Sequence, residues 1–133
     1  MSFPVTIFHN GACGTSRNTL AMIEAAGYAP TVIDYLATGW TRPQLEELLA
    51  ATGLTPRALL RESGTPAAEL GLLDPATTDD AILNAMVAHP ILVNRPIVVT
   101  PKGAALCRPS EVVLDLLDAR PDSFTKEDGE VVL

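Results

Sequence analysis

Residues 5–36 read VTIFHNGACGTSRNTLAMIEAAGYAPTVIDYL, and the order of patterns within them decides the fold. Val5 to Phe8 are rich in β-branched and apolar side chains and end near Asn10-Gly11, a turn signal, so the spacing predicts a strand. Leu20, Met22, Ile23 and Ala26 recur at helical spacing from about Ser16, and Gly27 supplies a stop. Thr31 to Leu36 predicts a second strand. A strand, a helix and a strand within about thirty residues form a βαβ unit, whose two strands run parallel.

A helical middle follows. Thr41 and Gln44 have capping-box spacing ahead of Leu45, Leu48 and Leu49, and Gly53 closes that helix. Thr55-Pro56 opens a short helix to about Arg61. Thr77 or Thr78 caps a third, with Asp79 and Asp80 at the positive end of its dipole and Ile82, Leu83, Met86 and Val87 on its apolar face. Strand patterns then return. Ile97 to Thr100, a Pro101-Lys102-Gly103 turn and Ala104 to Cys107 predict an antiparallel hairpin. Ser110 is placed to cap a last helix through about Ala119, and the polar tail from Arg120 is expected to dock loosely. The order βαβ, helices, ββα is that of an α/β thioredoxin-like mixed sheet with a helical insertion, expected as one domain over residues 1–133.

Composition narrows the function. A net charge of −7 speaks against a general nucleic-acid or anionic-membrane surface. No segment approaches the roughly 20 apolar residues of a membrane span. The start, MSFPVTIFHN, lacks the basic and long apolar regions of a secretory signal, so a cytoplasmic location is expected. The two cysteines, Cys13 and Cys107, have no metal-ligand spacing, and free thiols without a bound metal are expected.

Cys13 stands among Gly11, Ala12, Gly14 and Thr15, which bury little but leave backbone N–H groups uncovered. Just ahead of a helix, it meets unpaired N–H groups and a positive dipole end, and both lower a thiol's pKa. In Cys13-Gly14-Thr15-Ser16 a hydroxyl replaces the second thiol of a C-x-x-C motif. It can donate to a thiolate but cannot resolve a disulfide, so a second thiol must come from elsewhere. His9, at the end of the first strand, would help the thiolate if charged and close.

Two arginines occur in Arg-Pro pairs, Arg95-Pro96 and Arg108-Pro109. One precedes the hairpin and one follows it, so both reach the same end of the sheet. Pro96 falls where thioredoxin-like folds keep a cis-proline facing the cysteine loop. Two guanidinium groups near a thiolate and a helix N-terminus describe an oxyanion site. Arg61 is a third candidate.

The blocks HNGACGTSRNTL, RALLRESG, TTDD, HPILVNRPIVVTPKGAALCRPSEVVLDLL and FTKEDGE resemble the glutaredoxin-linked arsenate reductases of bacteria over nearly the whole chain. The resemblance implies a nucleophile at Cys13, oxyanion-binding arginines at Arg61, Arg95 and Arg108, a thiolate-stabilising histidine at His9 and a hydrogen-bonding serine at Ser16. It implies arsenate as substrate, glutathione as co-substrate, glutaredoxin as partner and no bound cofactor. Two departures accompany it: the chain stops at Leu133, short of a charged tail many relatives have, and Thr65 to Leu73 differs in character.

Two other classes compete. A regulator of the Spx type, which binds RNA polymerase on a related fold, usually carries a redox C-x-x-C rather than Ser16 and three arginines. A related glutathione-dependent thiol oxidoreductase would have no use for the Arg-Pro pairs. Phosphatase-type arsenate reductases open with C-x5-R, and Cys13 to Arg17 is too short for that.

Overall fold

The structure, a computed structural model, describes residues 3–132. Residues 1, 2 and 133, the ends of the expected 1–133 domain, lie outside them. The chain divides into two compact units: a sheet unit of residues 1–34 and 95–133, and a helical unit, Tyr35–Asn94.

The sheet unit begins with strand β1 (Thr6–His9), helix α1 (Gly14–Ala25) and strand β2 (Thr31–Asp34), and resumes with β3 (Ile97–Thr100) and β4 (Gly103–Leu106). The strand order is β2-β1-β3-β4. β1 and β2 pair in parallel, from Thr6↔Thr31 to His9↔Asp34, as a βαβ crossover requires. β3 runs antiparallel to both β1 and β4. This is the thioredoxin-like mixed sheet expected from the order of patterns. Val5, Ile7 and Val98 on one face meet Met22 and Ile23 of α1 and Val113, Leu114, Leu116 and Leu117 in a single buried cluster that also encloses Cys107. Full burial of one such aliphatic side chain contributes about 1.5–3 kcal/mol, which anchors α1 and hence the loop before it.

Two expectations for the C-terminal part are corrected. Ser110–Leu116 is a 3₁₀ helix rather than a longer α-helix, and its N-cap is Pro109, with no side-chain cap from Ser110. Thr100 Oγ1 donates to the Leu116 carbonyl at 2.8 Å, and Tyr28 Oη accepts from the N–H groups of Asp118 and Ala119. These side chains take the backbone groups that a continuing helix would use. The tail is also more than loose: β5 (Phe124–Thr125) and β6 (Val131–Val132) form a small antiparallel hairpin. Lys126 Nζ ties it to Glu111 at 2.9 Å and to Glu130 at 3.1 Å.

In the helical unit, α2 (Tyr35–Thr38) occupies the end of what reads as strand in the sequence. Helix α3 (Arg42–Thr52) has both halves of the Thr41/Gln44 capping box and ends at Gly53, whose φ of 74° is left-handed. Helix α4 (Pro56–Leu59) is capped by Thr55, and α5 (Asp79–Ala88) by Thr78 rather than Thr77. Val87, expected on the buried face of α5, is exposed, while Ile82, Leu83 and Met86 are buried. Between α4 and α5 the chain makes turns that the Arg57 guanidinium stitches together, donating to the carbonyls of Leu72, Asp74 and Thr77. No helix among the described residues is long and apolar enough to cross a membrane.

The packing gives a stability contrast. Ile7→Ala, at a position with no exposure, is expected to cost about 2–5 kcal/mol in urea unfolding. Val32→Ala, on the exposed part of edge strand β2, should stay within about 0.5 kcal/mol of wild type. Equal losses would mean that the cluster on α1 does not carry the sheet unit.

Candidate active site

The site grows from the carboxyl end of β1, where open α/β sheets place their ligands. After His9 the chain turns at Gly11-Ala12 and enters α1 directly at Gly14. Cys13 is itself the N-cap, with extended φ and ψ and no side-chain hydrogen bond to the helix. Its carbonyl accepts from Arg17 N–H at 3.0 Å, and its own N–H donates to Asn10 O at 3.0 Å. The sulfur is thus left beside the uncapped first turn of the helix.

Ser16 lies one turn into α1 and is fully buried. The sequence suggests a hydroxyl aimed at the sulfur, but the hydroxyl accepts from Asn10 N–H at 3.1 Å and shares a 2.7 Å hydrogen bond with His9 Nδ1. What favours the thiolate from this residue is its backbone N–H. His9 is therefore a neighbour of Ser16 rather than a cation on Cys13. Burial holds its pKa below the ordinary imidazole value; Asp34, its register partner on β2, opposes this, and the Arg17 charge adds to it. A neutral ring near pH 7 orders the loop through Ser16 without lending charge.

The two Arg-Pro pairs meet as the hairpin geometry predicts. Arg95 leads into β3 and Arg108 follows β4, and antiparallel pairing brings these ends together beside β1. Both Arg95–Pro96 and Arg108–Pro109 are cis. Arg108 Nη1 donates to Arg95 O at 3.1 Å and lies 3.8 Å from Cys13 Sγ. Arg95 is buried, and its charge acts on the same sulfur.

The electrostatics of the thiol follow. Burial of Cys13 opposes ionisation, but the Ser16 N–H, the Arg95 charge, the Arg108 guanidinium and the Thr15 N–H outweigh it and hold the pKa below the ordinary thiol value. Cys107 is the opposite case. Buried in the sheet core and near Asp115, it is pushed up to about 12. Arg61 belongs to the helical unit, where its N–H donates to Leu92 O at 2.8 Å and its carbonyl accepts from Thr65 Oγ1. Among the described residues no group of three or more His, Cys, Asp or Glu gathers to hold a metal.

One participant escaped the sequence reading. Arg17 Nη1 donates to Gly11 O, and its Nε and Nη2 grip Glu127 of the C-terminal hairpin. Its position on the first turn of α1 was the available signal.

A thiol under two arginines at a helix start is common to several chemistries, and comparison with known proteins separates them. The family model for the ArsC family matches residues 8–116, a span that holds Cys13, Ser16 and all three arginines. The chain belongs to the ArsC family. Among ArsC-type relatives, the arsenate reductase ArsI2 of Synechocystis sp. is 63% identical over 130 residues, covering 97% of this chain and 93% of that protein. The arsenate reductase of Escherichia coli K12 is 57% identical over 130 residues, covering 97% and 92% respectively. The solved arsenate reductase of Vibrio cholerae superposes with a TM-score of 0.83 at 42% identity, covering 88% of this chain and all of that one. The ArsC assignment thus spans both units of the chain.

The lowered thiol pKa has a direct consequence. Because the folded-state value lies below that of a free thiol, the Cys13 thiolate persists as pH falls past the ordinary value and is lost only lower. Iodoacetamide should therefore alkylate Cys13 with a midpoint below that of free cysteine, while Cys107 reacts only on unfolding. Arg108→Ala should raise the midpoint more than Ser16→Ala, which removes no donor from the sulfur. The reverse order would mean that the hydroxyl does reach the thiolate.

Proposed function

We propose that this chain is an arsenate reductase that converts arsenate to arsenite through a Cys13 thiolate–arsenic adduct, with glutathione and glutaredoxin as external thiol donors. The observation that carries it is the 3.8 Å approach of the Arg108 guanidinium to the Cys13 sulfur at the uncapped start of α1. A cation and helix N–H groups that favour a thiolate also favour a tetrahedral oxyanion beside it. The names of the ArsC relatives supply the oxyanion's identity.

The chemistry is nucleophilic. Arg95 and Arg108 hold arsenate while the Cys13 thiolate attacks arsenic, and an As–O bond breaks with loss of water. Glutathione adds its sulfur to the arsenic, and a second water departs. Glutaredoxin thiolate then attacks the glutathione sulfur. The S–As bond electrons stay on arsenic, which falls from As(V) to As(III), and a mixed disulfide leaves. Hydrolysis of the remaining Cys13–arsenic bond consumes one water and releases arsenite. The balance is one arsenate and two external thiols giving one arsenite, one disulfide and one net water.

Each remaining residue has a role in this scheme. Ser16 and neutral His9 order the loop, and Ser16 N–H supports the thiolate. Arg61 steadies the arsenic intermediate, a role that rests on the family resemblance alone. Residues 1–133 serve as one reductase domain, without a bound cofactor, in the cytoplasm where reduced glutathione is available.

NADPH consumption with arsenate, glutathione, glutathione reductase and glutaredoxin tests the proposal. Cys13→Ser should abolish it and Cys107→Ser should retain most of it. Arg95→Lys and Arg108→Lys should each lose about tenfold or more in kcat/KM, since lysine keeps charge but not the two-pronged grip. Efficient turnover in thioredoxin without glutathione would overturn the donor assignment. Equal loss in both cysteine variants would replace the single nucleophile with an internal dithiol.

A further inference from the structure

Three regions outside the thiol–arginine cluster invite a function: buried Cys107, the exposed edge of β2 with Val32, and the polar contacts between the C-terminal hairpin and α1. Cys107 has neither access nor a partner thiol, and nothing on the edge of β2 selects an occupant. The hairpin contacts carry further.

Arg17 sits on the first turn of α1 and uses three nitrogens. Nη1 donates to Gly11 O at 2.9 Å, Nε donates to Glu127 Oε2 at 2.9 Å, and Nη2 donates to Glu127 Oε1 at 2.9 Å. The last two make the parallel, two-bond grip in which a guanidinium is most directional. Glu127 is itself placed by its backbone N–H, which donates to Asn18 Oδ1 at 3.0 Å. Its neighbour Lys126, nearly buried, is anchored on Glu111 and Glu130.

Gly11 O belongs to the Gly11–Ala12 peptide, two residues ahead of the nucleophile. The other end of that peptide, Ala12 N–H, donates to Asn10 Oδ1 at 3.0 Å. Both faces of one peptide plane are therefore held, the N–H by Asn10 and the carbonyl by Arg17. Gly11, with no Cβ, is the residue at which such a plane rotates most freely when a tether is lost. The plane feeds directly into Cys13, whose own N–H is bonded to Asn10 O.

We propose that Arg17, clamped by Glu127, is a positioning residue that fixes the cysteine loop, and that the C-terminal hairpin is thereby part of the active-site scaffold. Arg17 and Glu127 are half-exposed, with side-chain accessibilities of 44% and 50%. Such a pair adds little to global stability. Its use is geometric. The proposal rests on the reductase function only for its turnover readout.

Charge and position make opposite predictions for Glu127→Ala. The charged groups acting on or near Cys13 are Arg95, Arg108 and Arg17, with His9 reached through Ser16. Removing the Glu127 carboxylate that neutralises Arg17 makes the surroundings of this set more positive, so charge alone would leave the alkylation midpoint where it is or lower it. Loss of the clamp frees the loop, draws the sulfur from its donors and raises the midpoint, by about half a pH unit if one of several donors is lost on average. The experiment is the iodoacetamide pH profile of Cys13 in Glu127→Ala, with Arg17→Lys as a second variant that keeps the cation but cannot span Gly11 O and both carboxylate oxygens. A raised midpoint in folded protein is expected for both, with kcat/KM for arsenate down about fivefold and the double variant no worse than either single one. A midpoint at or below wild type in Glu127→Ala overturns the positioning role, whatever happens to turnover. Should Glu127→Ala not fold, the Arg17→Lys midpoint decides by the same criterion. Wild-type protein that fails to turn over arsenate would sink the reductase function instead, and the midpoint would still judge the clamp.

Discussion

A sulfur kept anionic in a half-dehydrated loop has to be surrounded by donors, and that constraint organises the sheet unit. Placing Cys13 at the N-cap supplies helix N–H groups because the residue uses no side-chain oxygen to consume them. The same choice obliges the loop before it to be held by other means. Asn10, Ser16 and His9 do this with hydrogen bonds to one another and, through Asn10 Oδ1, from Ala12 N–H. The arginines arrive on a hairpin whose register brings them to the same end of the sheet. Burial works against the thiolate throughout, and only the sum of several modest donors reverses it.

The two cysteines illustrate how far environment outweighs residue type. Both are buried, yet one thiol is driven below the ordinary value and the other far above it. Cys107 is enclosed by the aliphatic cluster under α1, where burial and the Asp115 charge both oppose its ionisation. Depth in the structure is therefore a poor guide to reactivity here. What counts is the sign and number of the dipoles at the sulfur.

Most of the fold was legible because its signals are local. The βαβ unit, the Thr41/Gln44 capping box and the β3–β4 hairpin each follow from residues a few positions apart. The cysteine loop was legible for the same reason, and the arginine pairs because the hairpin links them. What escaped depends on long-range competition for polar groups. The last helix was expected to be α-helical, but Thr100 and Tyr28 take its backbone groups from other elements. Two-residue strands such as β5 and β6 leave no periodicity to detect. The hydroxyl of Ser16 had two chemically reasonable targets, and only the fold shows Asn10 and His9 within reach. Arg57 and Arg17 were not singled out because only the fold places the carbonyls they hold.

The seclusion of Cys107 also sets how the protein withstands peroxide. A low-pKa thiol is the group most readily oxidised, first to a sulfenic acid that a nearby thiol can capture and then to acids that are not recovered. With Cys107 protonated inside the core, no second cysteine of the chain is available to capture that first product. Rescue must come from dissolved thiols, so the catalyst's lifetime depends on their concentration as well as its speed. Where such thiols are scarce, oxidation of Cys13 would pass from a reversible sulfenic acid to permanent damage at one atom.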